Sequence, residues 1–174
     1  GHSRGGYIAI EIAFALKARG IRVNFLGLYD PVDMDISINV IDGDAKIPSN
    51  VDYAWVAARD PNVGSRSNFN NVGYGAESSS TRYRFDRKLF WGTHAALGGA
   101  PWAGDFPTTT TEERDRQASD EVEKWMNEGA SQAGIVLGNA IEVKKTFPPP
   151  GILDRVRSGF YEIMNWRNWV GGGF

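Results

Sequence analysis

The chain of 174 residues has no cysteine, so disulfides and thiolate metal sites are excluded, and the redox compartment stays open. It has only two histidines, His2 and His94, which confines imidazole chemistry to two positions. No run of about 18 apolar residues occurs, so no transmembrane helix is expected. Net charge is −2, which gives no electrostatic case for a nucleic-acid partner. What is present is ordinary globular chemistry: 41% hydrophobic and 23% charged residues, in a chain long enough for one domain with a real core.

The first residues carry the most information. Gly1-His2-Ser3-Arg4-Gly5 reads G-x-S-x-G, and an apolar helical pattern follows at once. This is the pattern of a nucleophile elbow, a serine on a strained turn between a strand and a helix. A serine held there needs neighbours without side chains, and Gly1 and Gly5 are expected to supply the clearance. The helix N-terminus behind Ser3 suits a developing oxyanion, and the Arg4 N–H is the expected donor. Gly and Ser are common in loops, so the five-residue pattern also describes an ordinary turn, and the rest of the chain has to decide. The motif starts at the first residue, so the strand leading into Ser3 is expected ahead of Gly1, with Ile21, Val23, Phe25 and Leu28 packing beside it.

Further along, Gly5 to Arg19 reads as a helix apolar nearly all round, with Gly20 as its stop. Ile21 to Tyr29 reads as a buried parallel strand ended by Asp30-Pro31, and residues 31–50 read as loop. Val51 to Ala58 is the second expected strand, ended by Arg59-Asp60-Pro61. Residues 62–80 read as a long surface loop and Arg82 to Trp91 as a third strand. Residues 95–110 read as loop, and Glu112 to Ala133 as a helix with Val122, Trp125 and Met126 on one face and Gly134 at its end. The strand and helix rhythm predicts an α/β fold with a mostly parallel sheet flanked by helices.

Candidate chemistry follows from position. His2 flanks the serine and is poorly placed to be its base, which leaves His94, in a Gly-rich stretch after a strand. Catalytic groups collect beyond the carboxyl ends of such strands. Two acids end strands: Asp30, on the strand next to the elbow, and Asp60, one strand further out. Asp30 is the expected acid and Asp60 its alternative, with Arg59 and Arg66 as structural partners for Asp60. Ser3, Asp30 and His94 stand in the chain order expected of an α/β hydrolase.

The segments GHSRGG, FLGLYDPV, LFWGTHAALGG and QASDEVEKWMNEGASQAG resemble the catalytic domain of the type VI secretion phospholipase effector family of α/β hydrolases. Ser3, Asp30 and His94 fall on that family's matching positions, as do Gly98, Gly99 and the Trp125-Met126 pair. The GLYDP segment is also similar to neutral lipases of animals. The resemblance covers about residues 1–138, and implies the C-terminal part of a hydrolase domain beginning at the elbow. Ala96 departs from it, since the family often has an acidic residue there, and the second oxyanion donor would lie ahead of Gly1.

The resemblance implies a bacterial serine hydrolase that cleaves a carboxylic ester of a lipid, a phospholipase above all. It implies export to a target cell, with a secretion-system component or an immunity protein as partner. The chemistry needs no metal and no cofactor. A soluble-ester esterase, or an inactive hydrolase-like binding module, are the alternatives. Residues 139–174 form an unassigned tail in which Pro148-Pro149-Pro150 precedes an amphipathic pattern from Ile152 to Trp169. That pattern fits a packing helix, or one lying on a membrane surface with Trp166 and Trp169 at the headgroups.

Overall fold

A computed structural model describes residues 1–33, 46–66, 70–77, 84–103 and 109–135. The chain divides into two units, Gly1–Leu137 and Gly138–Phe174, and every described residue belongs to the first. The expected helix from Ile152 to Trp169 and the proline break lie outside the described residues.

Helix α1 (Arg4–Lys17) is followed by strand β1 (Val23–Tyr29) and a two-residue strand β2 (Val32–Asp33). Strand β3 (Val51–Arg59) comes next, then a 3-10 turn (Pro61–Val63) and the short β4 (Asn70–Asn71). Strand β5 (Arg84–Phe90), a single helical turn α2 (His94–Leu97) and helix α3 (Glu112–Gln132) complete the described part. The main sheet has the order β1-β3-β5 and both of its pairings are parallel, so the architecture is α/β with a small parallel sheet flanked by helices. The short strands β2 and β4 pair antiparallel beside it.

Central strand β3 explains the layering. Successive side chains point to opposite faces of a strand, so a strand covered on both sides needs apolar residues on both, as β3 has from Tyr53 to Ala58. Ala54 and Val56 join α1's Ile10 and Ala13 in one cluster with Leu26, Leu28, Ile47, Val51 and Val72. Trp55 and Ala57 join Leu97 of α2 and Val122 and Met126 of α3 in the other, with Phe90. Thus α1 covers one face, and α2 with α3 covers the other. Thr111 caps α3, its hydroxyl accepting from the Arg114 N–H, and three acidic residues in the first turn suit the positive end of the helix dipole.

Four sequence expectations change. Helix α1 is not buried all round: Ile8 and Ile12 are 56% and 54% exposed, because only the side carrying Gly6, Ile10 and Ala13 meets the sheet. The described residues of 62–80 are not simply surface loop, since Val63, Ser65 and Val72 are buried and β4, which lies among them, pairs with β2. Nor are residues 31–50 and 95–110 loop throughout, because β2 and α2 fall in them. Of the residues expected beside a strand ahead of Gly1, Leu28 is fully buried in the cluster with Ile10, Ile47 and Val72, and Ile21 is exposed.

The start of the chain lies along the open edge of β1. His2 bridges Tyr29 in the parallel sense. The Tyr29 N–H donates to the Gly1 carbonyl at 2.9 Å and the Ser3 N–H to the Tyr29 carbonyl at 3.1 Å. A parallel ladder therefore leads straight into Ser3 and then into α1.

Candidate active site

Ser3 sits between that ladder and α1 with φ 57° and ψ −132°. A positive φ is costly for a residue with a Cβ, on the order of 1–3 kcal/mol, and persists only where the surroundings impose it. They do so here through the Ser3 carbonyl, which accepts from the N–H groups of Gly6 (2.9 Å) and Val32 (3.2 Å). The tight turn also needs glycine, but at Gly1 and Gly6 rather than at Gly1 and Gly5. A Cβ on Gly1 would stand 2.3 Å from the Gly5 carbonyl oxygen and one on Gly6 2.7 Å from Pro31 Cβ, whereas one on Gly5 meets nothing within 4 Å.

Serine before a helix is normally an N-cap, its hydroxyl accepting from an early helical N–H. The Ser3 side chain makes no such bond. Thr93 and Thr111, ahead of α2 and α3, both do. The ordinary structural explanation for a serine at this position is therefore missing. Arg4 is the first residue of α1, so its N–H has no acceptor within the helix.

Asp30 follows β1 directly and is fully buried, with φ 41°. Its Oδ2 is 2.7 Å from His94 Nδ1. His94 opens α2, just past β5, and is 4% exposed. The parallel register sets Tyr29 against Ala57, which brings the end of β1 level with Arg59. As a result the Arg59 N–H donates to Asp30 Oδ1 at 3.1 Å, and the Arg59 guanidinium forms a buried ion pair with Oδ2. Asn71 of β4 also donates to Oδ1 through its side-chain amide. Burial by itself pushes the Asp30 carboxyl up in pKa, but the hydrogen bond with His94 and the charge and N–H of Arg59 outweigh it. The net shift is downward, so Asp30 is a carboxylate at neutral pH.

A carboxylate facing Nδ1 requires that nitrogen to carry the proton, which leaves Nε2 as the basic nitrogen of neutral His94. Ser3 is linked to both partners through its neighbours. Its N–H and carbonyl bond to Tyr29 and Val32, on either side of Asp30. The preceding residue, His2, places Nε2 2.9 Å from the His94 carbonyl, with the two rings 4.5 Å apart between centroids. Room for the His2 ring comes from Gly98, where a Cβ would stand 2.5 Å from His2 Cε1.

Asp60 is elsewhere. Its side chain accepts from the backbone and side chain of Asn62, capping the 3-10 turn. Arg59, expected as a partner of Asp60, pairs with Asp30 instead, and its second guanidinium nitrogen donates to the Arg66 carbonyl at 2.8 Å. Several contributors carry no signal in the sequence. Ser65 accepts from the His94 N–H at 3.0 Å. Asp115 of α3 is fully buried and accepts from the Thr93 N–H (2.6 Å), the Thr93 hydroxyl (2.9 Å) and the Trp102 N–H (2.7 Å). Ala96, where the resembled family often has an acid, is fully buried in α2.

Backbone strain marks the same place. Among the described residues, the non-glycine residues with positive φ are Ser3, Asp30, Arg66 and Trp102. Two are site residues, the third accepts from Arg59, and the fourth donates to Asp115, which holds Thr93. Among the described residues no cluster of three or more His, Asp or Glu is arranged to hold a metal ion. Likewise, no helix among them is long and apolar enough to cross a membrane. Comparisons with known protein families, with curated proteins and with solved structures found no match.

Proposed function

We propose that the chain carries the nucleophile, acid and base of a serine hydrolase of the α/β-hydrolase type, acting on carboxylic esters. The substrate we assign is a lipid ester, that of a phospholipid. The observation that carries the reading is the buried Asp30–His94 hydrogen bond of 2.7 Å at the carboxyl ends of parallel strands, beside a strained serine that does not cap its helix.

In this reading Ser3 Oγ attacks the ester carbonyl while His94 Nε2 takes its proton. The tetrahedral oxyanion accepts from the Arg4 N–H at the start of α1. His94 then gives the proton to the leaving alcohol, and the acyl group stays on Ser3. Water, deprotonated by the same nitrogen, releases the acid and restores the hydroxyl. Asp30 holds the Nδ1–H tautomer and stabilises the imidazolium; it stays ionised throughout. Choice of a lipid rests on the sequence resemblance, and choice of ester chemistry on the site.

Fatty-acid release from phospholipid vesicles, measured beside hydrolysis of a soluble short-chain p-nitrophenyl ester, tests both. The reading expects turnover of each, faster on the lipid, and loss of both in Ser3→Ala. Turnover of the soluble ester alone would reduce the assignment to an esterase. Retention of activity in Ser3→Ala would remove it.

A further inference from the structure

Asp30 has two donors on one oxygen. Oδ2 receives both the His94 ring and the Arg59 guanidinium, while Oδ1 receives the Arg59 N–H and the Asn71 amide. Arg59 is itself 7% exposed, so this cation has been withdrawn from water. A buried ion pair is a poor route to stability, because desolvating both charges offsets most of their attraction. Its value lies in geometry. A guanidinium is a rigid fork with five donors, and here it spans two fixed points, the Asp30 carboxylate and the Arg66 carbonyl. Arg66 holds a positive φ of 47° at the end of that span.

We propose that Arg59 is the positioning residue of the site, fixing the Asp30 carboxylate so that Oδ2 meets His94 Nδ1. Its proposed action on the chemistry runs through Asp30, with which it forms the ion pair. The inference rests on the serine-hydrolase reading for its kinetic consequence, but not for its structural one.

Without the fork, Asp30 keeps its backbone anchor and the Asn71 amide on Oδ1, and the carboxylate is free to turn away from the ring. Misplacing an acid–base pair by about 1 Å lowers turnover on the order of 100-fold without touching substrate binding. Arg59→Gln and Arg59→Met are therefore expected to lower kcat about 100-fold at unchanged KM. In the parent, the Nδ1 proton bonded to Asp30 should give a far-downfield imidazole signal in the proton NMR spectrum, assigned by its absence in His94→Gln. Both Arg59 variants should lose or weaken that signal while their amide spectra stay folded.

A folded variant with the parent's kcat and an intact downfield signal overturns the inference. So does failure of both variants to fold, which would make Arg59 a residue of the fold alone. If the parent hydrolyses no ester yet the downfield signal depends on Arg59, the positioning role stands and the enzymatic reading fails.

Discussion

His2 lies against His94, with ring centroids 4.5 Å apart and its Nε2 2.9 Å from the His94 carbonyl. One residue ahead of the serine thus braces the turn that carries His94. His2→Ala removes both the ring contact and the hydrogen bond. The expected result is a loss of about 10- to 100-fold in kcat, the scale for a displaced catalytic group, with the fold retained. Steady-state kinetics and a thermal melt check it. Gly98→Ala should act in the same direction, because its Cβ would stand 2.5 Å from His2 Cε1.

The two candidate acids separate cleanly. Asp30→Asn presents a donor where Nδ1–H needs an acceptor and should cost about 10⁴ in kcat. Asp60→Asn keeps an oxygen for the Asn62 N–H, so it should change stability by roughly 0.5 kcal/mol or less and leave turnover near the parent's. Measuring kcat for both variants checks the ranking.

The choice between these acids was legible only in part. Both follow apolar strand patterns, and Asp30 was favoured by its place on the strand next to the elbow and by the resemblance of its GLYDP segment. What the sequence could not show was the register. Setting Tyr29 against Ala57 turns Arg59 toward Asp30, although Asp60 is its chain neighbour. Apolar periodicity found α1, the three main strands and α3 because each buries a face. It failed on the outer side of α1, because an exposed Ile8 looks in a sequence like a buried one. It also missed Ser65 and Asn71, polar residues in a Gly/Asn/Ser-rich loop, whose only signal is where the chain folds back.

Asp115 predicts a stability effect away from the chemistry. Asp115→Ala leaves the Thr93 N–H, the Thr93 hydroxyl and the Trp102 N–H without their shared acceptor. Losing buried bonds to a charged group should cost about 3 kcal/mol, or roughly 6–12 °C in Tm for a chain of this size. Thermal unfolding checks it, and a fall below 2 °C would show that the acceptor is replaceable.

Asp30 also predicts a pH dependence. Its pKa in the folded protein is lowered from the ordinary 3.8, so the carboxylate is favoured by folding. The stability it contributes is fully present above the unfolded value and is lost as pH falls through the lower, folded one. Parent and Asp30→Asn should therefore differ most in Tm near neutral pH, and the gap should narrow below about pH 4. A gap that stays constant from pH 7 to pH 3 would contradict a stabilised carboxylate at this position.

Whether Ser3 is an activated nucleophile decides the serine-hydrolase assignment. A fluorophosphonate probe labels only such a serine, and intact-mass analysis with peptide mapping reads the adduct directly. One adduct is expected, on Ser3, absent in Ser3→Ala and strongly slowed in His94→Gln and Asp30→Asn. No adduct on the folded parent protein, or one that persists in Ser3→Ala, would contradict it.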